Sequence, residues 1–240
     1  MTPFVTSIVT RLGDPSKLTV IRRSSGTAAG AAFTTQPQIA IQDAAGNTLI
    51  SETRTVLATV SRGASLVGTR TVQTVNGIAT LPSDFGISGT AGKTYTINYS
   101  TENLGTASET VTVTTGAPYS VTVLRDAAGA KSGAPFITQP IAALTDRGDN
   151  VVTGDNSSVI TATISLNGTQ VASGQATVSS GVATFGESFG FSGIAGTTYT
   201  IVFTSTSASL GDSQTIIVDP GLARTAHLTC LLYTSDAADE

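Results

Sequence analysis

The sequence predicts an all-β protein built from tandem copies of one two-sheet sandwich, and three observations lead there. The block Gly77-Ile78-Ala79-Thr80 through Ser88-Gly89-Thr90-Ala91-Gly92-Lys93-Thr94-Tyr95-Thr96-Ile97 returns 104 positions later as Gly181-Val182-Ala183-Thr184 through Ser192-Gly193-Ile194-Ala195-Gly196-Thr197-Thr198-Tyr199-Thr200-Ile201. A repeat of that period in 240 residues makes two ordinary domains, each long enough to bury its own core. Composition is the second observation: 40% of residues are hydrophobic but only 12% are charged, with Thr, Ser, Ala, Gly and Val standing in for Lys and Glu. That mixture suits pleated, weakly charged surfaces. Third, apolar residues alternate at period two between Gly, Pro, Asn and Asp turns, and no long window carries the three-and-four spacing of an amphipathic helix.

Taken in order, the chain opens on Thr6-Ser7-Ile8-Val9-Thr10 and then Gly13-Asp14-Pro15, which matches the junctions ending in Gly116-Ala117-Pro118 and in Gly221-Leu222-Ala223. Three junctions for two whole repeats divide the chain as follows. Residues 1–14 are the last strand of a preceding repeat, 15–116 repeat one, 117–220 repeat two, 221–229 the start of a third repeat and 230–240 a tail. A fragment of a longer array, with Met1 an internal start, is the expectation. The tail, Cys-Leu-Leu-Tyr-Thr-Ser-Asp-Ala-Ala-Asp-Glu, resembles translated sequencing-adapter peptide of metagenomic reading frames and is set aside from the fold.

Within repeat one, residues 17–23 form the first strand and a Gly/Ala-rich crossing runs from Gly26 to Ala32. Pro37 opens a strand in which Ile39 and Ile41 share one face, and Asp43-Ala44-Ala45-Gly46-Asn47 turns it. Val56 to Ser61 is the next strand. Asn76-Gly77 between strand-formers favours a two-residue type I′ turn, in which both central residues need positive φ; Ser180-Gly181 is its counterpart. Counting outward pairs Val72 with Leu81 and Ala176 with Phe185. Tyr95, Ile97 and Tyr99 then alternate with polar residues in the penultimate strand, as do Tyr199, Ile201 and Phe203, which places that strand at the centre of its sheet. Thr110 to Val113 closes the domain, and the short Gly116-Ala117-Pro118 connector leaves the next repeat little freedom.

About seven strands per repeat fit a sandwich with Greek-key connections. Over residues 13–219 the chain resembles the bacterial immunoglobulin-like repeats of large surface and secreted proteins, including the invasin and intimin type of adhesin. The resemblance rests on Phe33-Thr34-Thr35-Gln36-Pro37 with Phe136-Ile137-Thr138-Gln139-Pro140, on the turns at Asp43 to Asn47 and Asp146 to Asn150, and on the Gly-Thr-Ala-Gly-Lys-Thr-Tyr-Thr block. It implies immunoglobulin-like sandwiches in which Tyr95 and Tyr199 act as tyrosine corners. Ile97 and Ile201 stand where such domains carry a Cys, and there is no Trp, so packing is left to aliphatic and aromatic residues. The group's terminal receptor-binding module has no counterpart here.

Chemistry is sparse. The single Cys230 forms no intramolecular disulfide, and His227, the one His, lies in the incomplete third repeat as an exposed strand residue rather than part of a Ser-His-Asp site. Asp43 with Asn47, and Asp146 with Asp149, Asn150 and Asp155, supply oxygen ligands of the type that can hold Ca²⁺, but neither follows the spacing of a Ca²⁺ loop, and both read as turn chemistry. No catalytic, cofactor-binding or metal-binding residue is therefore assigned, no cofactor is expected, and the chain is read as not an enzyme. Arg22-Arg23 is the one adjacent basic pair and the net charge is −4, which argues against nucleic acid. No 18-residue apolar run gives this segment a membrane span. The expectation is a monomeric rod, extracellular or on the cell surface. It would serve as a structural stalk projecting a distal binding domain toward an unknown ligand, whether a host or neighbouring cell surface or a polysaccharide. The alternatives are a carbohydrate-contacting accessory module of a secreted enzyme, or an immunoglobulin-like decoration domain on a phage virion. A sugar platform needs a flat ring facing solvent, and Tyr119 alone falls outside the inward phase.

Overall fold

The computed structural model describes residues 11–221. The strand expected at 6–10, the third repeat beyond Gly221, His227, Cys230 and the tail lie outside those residues.

Repeat one contains Lys17–Arg22 (β1), Ala31–Ala32 (β2), Gln38–Gln42 (β3), Thr55–Val60 (β4), Ala64–Val67 (β5), Thr71–Gln73 (β6), Ile78–Thr80 (β7), Gly86–Gly89 (β8), Thr94–Ser100 (β9) and Ala107–Thr112 (β10). Repeat two contains Ser120–Arg125 (β11), Ala134–Pro135 (β12), Ile141–Thr145 (β13), Val159–Leu166 (β14), Thr169–Thr177 (β15), Val182–Thr184 (β16), Gly190–Phe191 (β17), Thr198–Ser205 (β18) and Asp212–Ile217 (β19). The described residues are all-β. In repeat one the sheet β1-β3-β7 faces β10-β9-β4-β6, and in repeat two β11-β13-β16 faces β15-β14-β18-β19, with every named pairing antiparallel. Short strands β2-β8-β5 and β12-β17 fill the flanks. This order, in which the chain passes back and forth between the two sheets of each repeat, is an immunoglobulin-like Greek key written twice.

The Gly/Ala-rich crossing is what lets the first strand change sheets. Ala28 pairs in parallel with Thr114, and Ala29 N–H donates to Thr114 O at 2.9 Å. Lys131 and Asp219 repeat the parallel bridge in the second domain. Gln36 of the Phe-x-x-Gln-Pro motif fastens the crossing from inside: its amide donates to Phe33 O at 3.1 Å and to Phe85 O at 3.0 Å. Gln139 does the same for Phe136 and Phe189.

Each repeat has its own core. One apolar cluster runs from Leu18 to Val113 and the other from Val121 to Val218, with no residue in common. The central strands β9 and β18 bury Tyr95, Ile97 and Tyr99, and Tyr199, Ile201 and Phe203, in strict alternation. Each such side chain contributes about 1.5–3 kcal/mol of burial before entropy. Ala40 is also wholly buried although it alternates out of phase with Ile39 and Ile41. Its register partners Thr19 and Ile78 stand on both sides of it, so larger neighbours cover a small methyl on the outer face.

The two tight turns form as expected: Asn76 and Gly77 have φ of 51° and 72°, Ser180 and Gly181 49° and 80°. The pairing counted outward from them does not. Val75 bridges Ile78 and Ser179 bridges Val182, and there the ladders stop. Val72 pairs with Val56 in one sheet while Leu81 N–H bonds Pro37 O in the other; Ala176 pairs with Ile160, and Phe185 N–H bonds Pro140 O. The turn is a corner between sheets. The first arm of each corner is held to the facing sheet, by Thr74 N–H on Arg54 O at 2.9 Å and by Val178 N–H on Ser158 O at 2.8 Å; in repeat one the buried Thr74 side chain adds a donation to Glu52 O and accepts from Arg54 N–H at 2.9 Å.

Candidate functional site

The most elaborate polar arrangement among the described residues is the joint between the repeats, and it is built from two turns. The first is the 146–150 turn that follows β13. Asp146, wholly buried, accepts from Gly148 N–H at 2.8 Å and Asn150 N–H at 3.0 Å, and the Asn150 side-chain amide reaches both its oxygens. Asp149 takes φ of 59°, which a short polar side chain tolerates. The second is the 88–91 turn of repeat one, held by a tyrosine corner. Thr90 N–H donates to the Tyr95 hydroxyl at 3.0 Å, five residues along the chain, and hydrogen bonding from Thr90 holds the Tyr95 phenol below its ordinary range. Ile194 N–H meets the Tyr199 hydroxyl at the same distance in repeat two.

These turns interlock. Asn150 uses both ends of its amide, donating to Gly89 O at 2.8 Å and accepting from Ala91 N–H at 2.8 Å. Ser88 Oγ donates to Arg147 O at 3.0 Å. Asp146 Oδ2 accepts from Gly116 N–H at 2.7 Å, tying the connector to the same carboxylate. Arg147 lies between the domains, its aliphatic stem against Gly30 and its guanidinium 4.0 Å from the centre of the Tyr119 ring. Two glycines permit the approach: a Cβ on Gly30 would come within 2.4 Å of Arg147 Cβ, and a Cβ on Gly148 within 2.4 Å of Gly89 O.

The corresponding turn of repeat one, 43–47, has the same internal bonds. Asp43 accepts from Asn47 N–H at 2.9 Å and the Asn47 side chain at 3.0 Å, and from Gly13 N–H at 3.1 Å, the counterpart of Gly116. Donation from the Asn47 side chain first, then from the Gly13 and Asn47 amides, holds the Asp43 carboxyl at about 2.

Of the carboxylates weighed as Ca²⁺ ligands, those of Asp43 and Asp146 are thus aimed at N–H donors. Asp155 belongs to a different turn, accepting from Ser157 N–H, Ser158 N–H and the Ser158 hydroxyl. Among the described residues no group of three His, Cys, Asp or Glu is placed to hold a metal. No described helix is long and apolar enough to cross a membrane. The rings of Phe33, Phe85, Phe136 and Phe185 and those of β9, β17 and β18 lie in the cores, and Tyr119, the outward candidate, is half-buried under Arg147. Sequence reasoning reached the two turns but not their partnership. The visible signal was the difference between the 146–150 turn and its 43–47 counterpart, Arg147-Gly148-Asp149 where repeat one has Ala44-Ala45-Gly46.

The class these features define is a tandem immunoglobulin-like repeat protein. No family model matches the chain, and no curated protein is significantly similar to it. Solved structures with a related arrangement include domains 4 and 5 of the S-layer protein SbsC, 14% identical over 89% of this chain and 100% of that one, at a TM-score of 0.25. The fibronectin(III)-like modules of Clostridium thermocellum CbhA are 14% identical over 88% and 98%, at 0.26. A β-glucuronidase of Parabacteroides merdae is 17% identical over 44% of this chain but only 13% of its own, at 0.32. At such scores the likenesses carry nothing beyond the strand order already described.

Proposed function

We propose that this chain is a structural spacer, a stalk segment of a large bacterial cell-surface or secreted repeat protein of the invasin and intimin type. It holds a distal binding domain away from its anchor and contributes no catalysis. The observation that carries the reading is the joint. Two independently cored domains linked by a three-residue connector need nothing more to stay associated, yet this pair adds side-chain bonds from Asn150, Asp146 and Ser88 across the junction. Such contacts set an angle, and an angle matters to a part whose task is to project. The rings turned inward, and Tyr119 covered by Arg147, favour the spacer over a carbohydrate-contacting module.

Display of the full-length protein on the producing cell tests the location, by labelling intact cells with an antibody raised against residues 11–221. Surface labelling that is lost on brief protease treatment supports the spacer; labelling only after lysis contradicts it.

A further inference from the structure

Repeat two ends in the same fittings that repeat one uses to hold its neighbour. Ser192, Gly193 and Ala195 correspond to Ser88, Gly89 and Ala91; Gly133 corresponds to Gly30, and Gly221 to Gly116. Their backbones match, since Gly133 and Gly30 share φ of 75° and 79° and the Tyr199 hydroxyl holds the turn as Tyr95 does. Their surroundings differ. Ser88 and Gly89 are buried beneath the 146–150 turn, whereas Ser192 is exposed and Gly193 half-buried. A Cβ on Gly30 would run into Arg147, while one on Gly133 meets only Ser192 Oγ, at 3.5 Å, among the described residues.

We infer that this surface of repeat two is a docking seat for another immunoglobulin-like repeat carrying a turn of the Asp-Arg-Gly-Asp-Asn kind. The occupant is specified by the joint already formed within the chain. Its Asn would bridge Gly193 O and Ala195 N–H, its Asp would accept from Gly221 N–H, and its Arg stem would cover Gly133. Ser132 Oγ already donates to Gly193 O at 2.7 Å, and a carbonyl oxygen has a second lone pair for the incoming amide.

The same geometry states what does not fit. The turn of repeat one has Ala45 in the place of Gly148, and in the existing joint a Cβ at Gly148 would stand 2.4 Å from Gly89 O, the counterpart of the seat's Gly193 O. It also has Ala44 in the place of Arg147. Repeat one is therefore excluded from the seat, and copies of this chain do not join head to tail. The inference does not depend on where the chain is displayed.

Hydrogen exchange at single amides tests it. Residues 117–221 are appended after Gly221 of the chain, which sets a second 146–150 turn beside the seat at high effective concentration. The Ala195 and Gly221 amides are then followed by NMR. With the turn seated, both slow by on the order of tenfold or more relative to the unextended chain, the effect of roughly one hydrogen bond. Changing Asn150→Ala or, separately, Gly148→Ala in the appended copy alone abolishes the slowing, as does appending residues 14–116 instead. A dispersed spectrum from the appended domain shows in each case that it has folded. Unchanged exchange at Ala195 and Gly221 in the folded parent extension overturns the inference. So does equal slowing with all the variants, which would mean proximity rather than recognition. Concentration-dependent self-association of the unextended chain in sedimentation overturns the exclusion of repeat one.

Discussion

Two pairs of residues at equivalent places solve one problem differently. In repeat one Glu109 is buried, accepting from the Tyr99 hydroxyl at 2.7 Å and from Ser24 N–H at 3.0 Å. Burial first, then Glu109, pushes the Tyr99 phenol above its ordinary range, so it remains a donor. In repeat two Phe203 takes the place of Tyr99 and Gln214 that of Glu109, and Gln214 both accepts from Ala127 N–H at 2.8 Å and donates to Ala127 O at 3.0 Å. The hydroxyl and the charge go together. Tyr99→Phe alone should therefore cost repeat one about 1–3 kcal/mol by stripping a buried carboxylate of its donor. Adding Glu109→Gln should recover most of the loss through Ser24 O. Urea unfolding of the two single variants and the double variant measures this, and purely additive losses would contradict the coupling. Asp43 gives a pH dependence. Its folded value of about 2 lies below the ordinary carboxylate value, so the stabilisation is complete above about pH 4 and is lost as pH falls toward 2. Asp43→Asn should flatten the acid limb of the repeat-one transition between those values; an unaltered limb would assign it to other groups.

Strands show how far alternation and turn chemistry reach. Tyr-x-Ile-x-Tyr in β9 and its counterpart in β18 declare which face is inward, because one buried face leaves period two no freedom. Asn76-Gly77 declares its φ values just as directly. What neither discloses is the sheet each arm joins, since a I′ turn fits a long hairpin and a corner equally well after its first bridge. That choice is made by distant partners, Arg54 for Thr74, Val56 for Val72 and Pro37 for Leu81, which local reading does not reach. At the second turn Ser180 holds φ of 49° without the side chain best suited to it. Ser180→Asn should stabilise repeat two by a fraction of the ~1 kcal/mol that a left-handed residue costs. Gly181→Ala should destabilise it, its Cβ falling 2.7 Å from Val152 O. Thermal unfolding of both variants checks the opposed signs, and a lowered midpoint for Ser180→Asn would contradict the account of the turn.

At the level of the whole molecule, the repeat was readable and the joint was not. Similarity between Asp43 to Asn47 and Asp146 to Asn150 marks a shared turn, but a turn's own bonds do not say whether its outer surface meets solvent or a neighbour. Arg147-Gly148 against Ala44-Ala45 held that information, and it became meaningful only when Gly30 and Gly89 were found opposite. The spacer reading stands or falls with that joint. Residual dipolar couplings from the described two-repeat chain measure it, because each repeat reports its own alignment tensor. One tensor common to both repeats is the predicted result, separating into two on Asn150→Ala combined with Arg147→Ala. Two different tensors in the unaltered chain would show domains that swivel about residues 116–118, and would contradict the account.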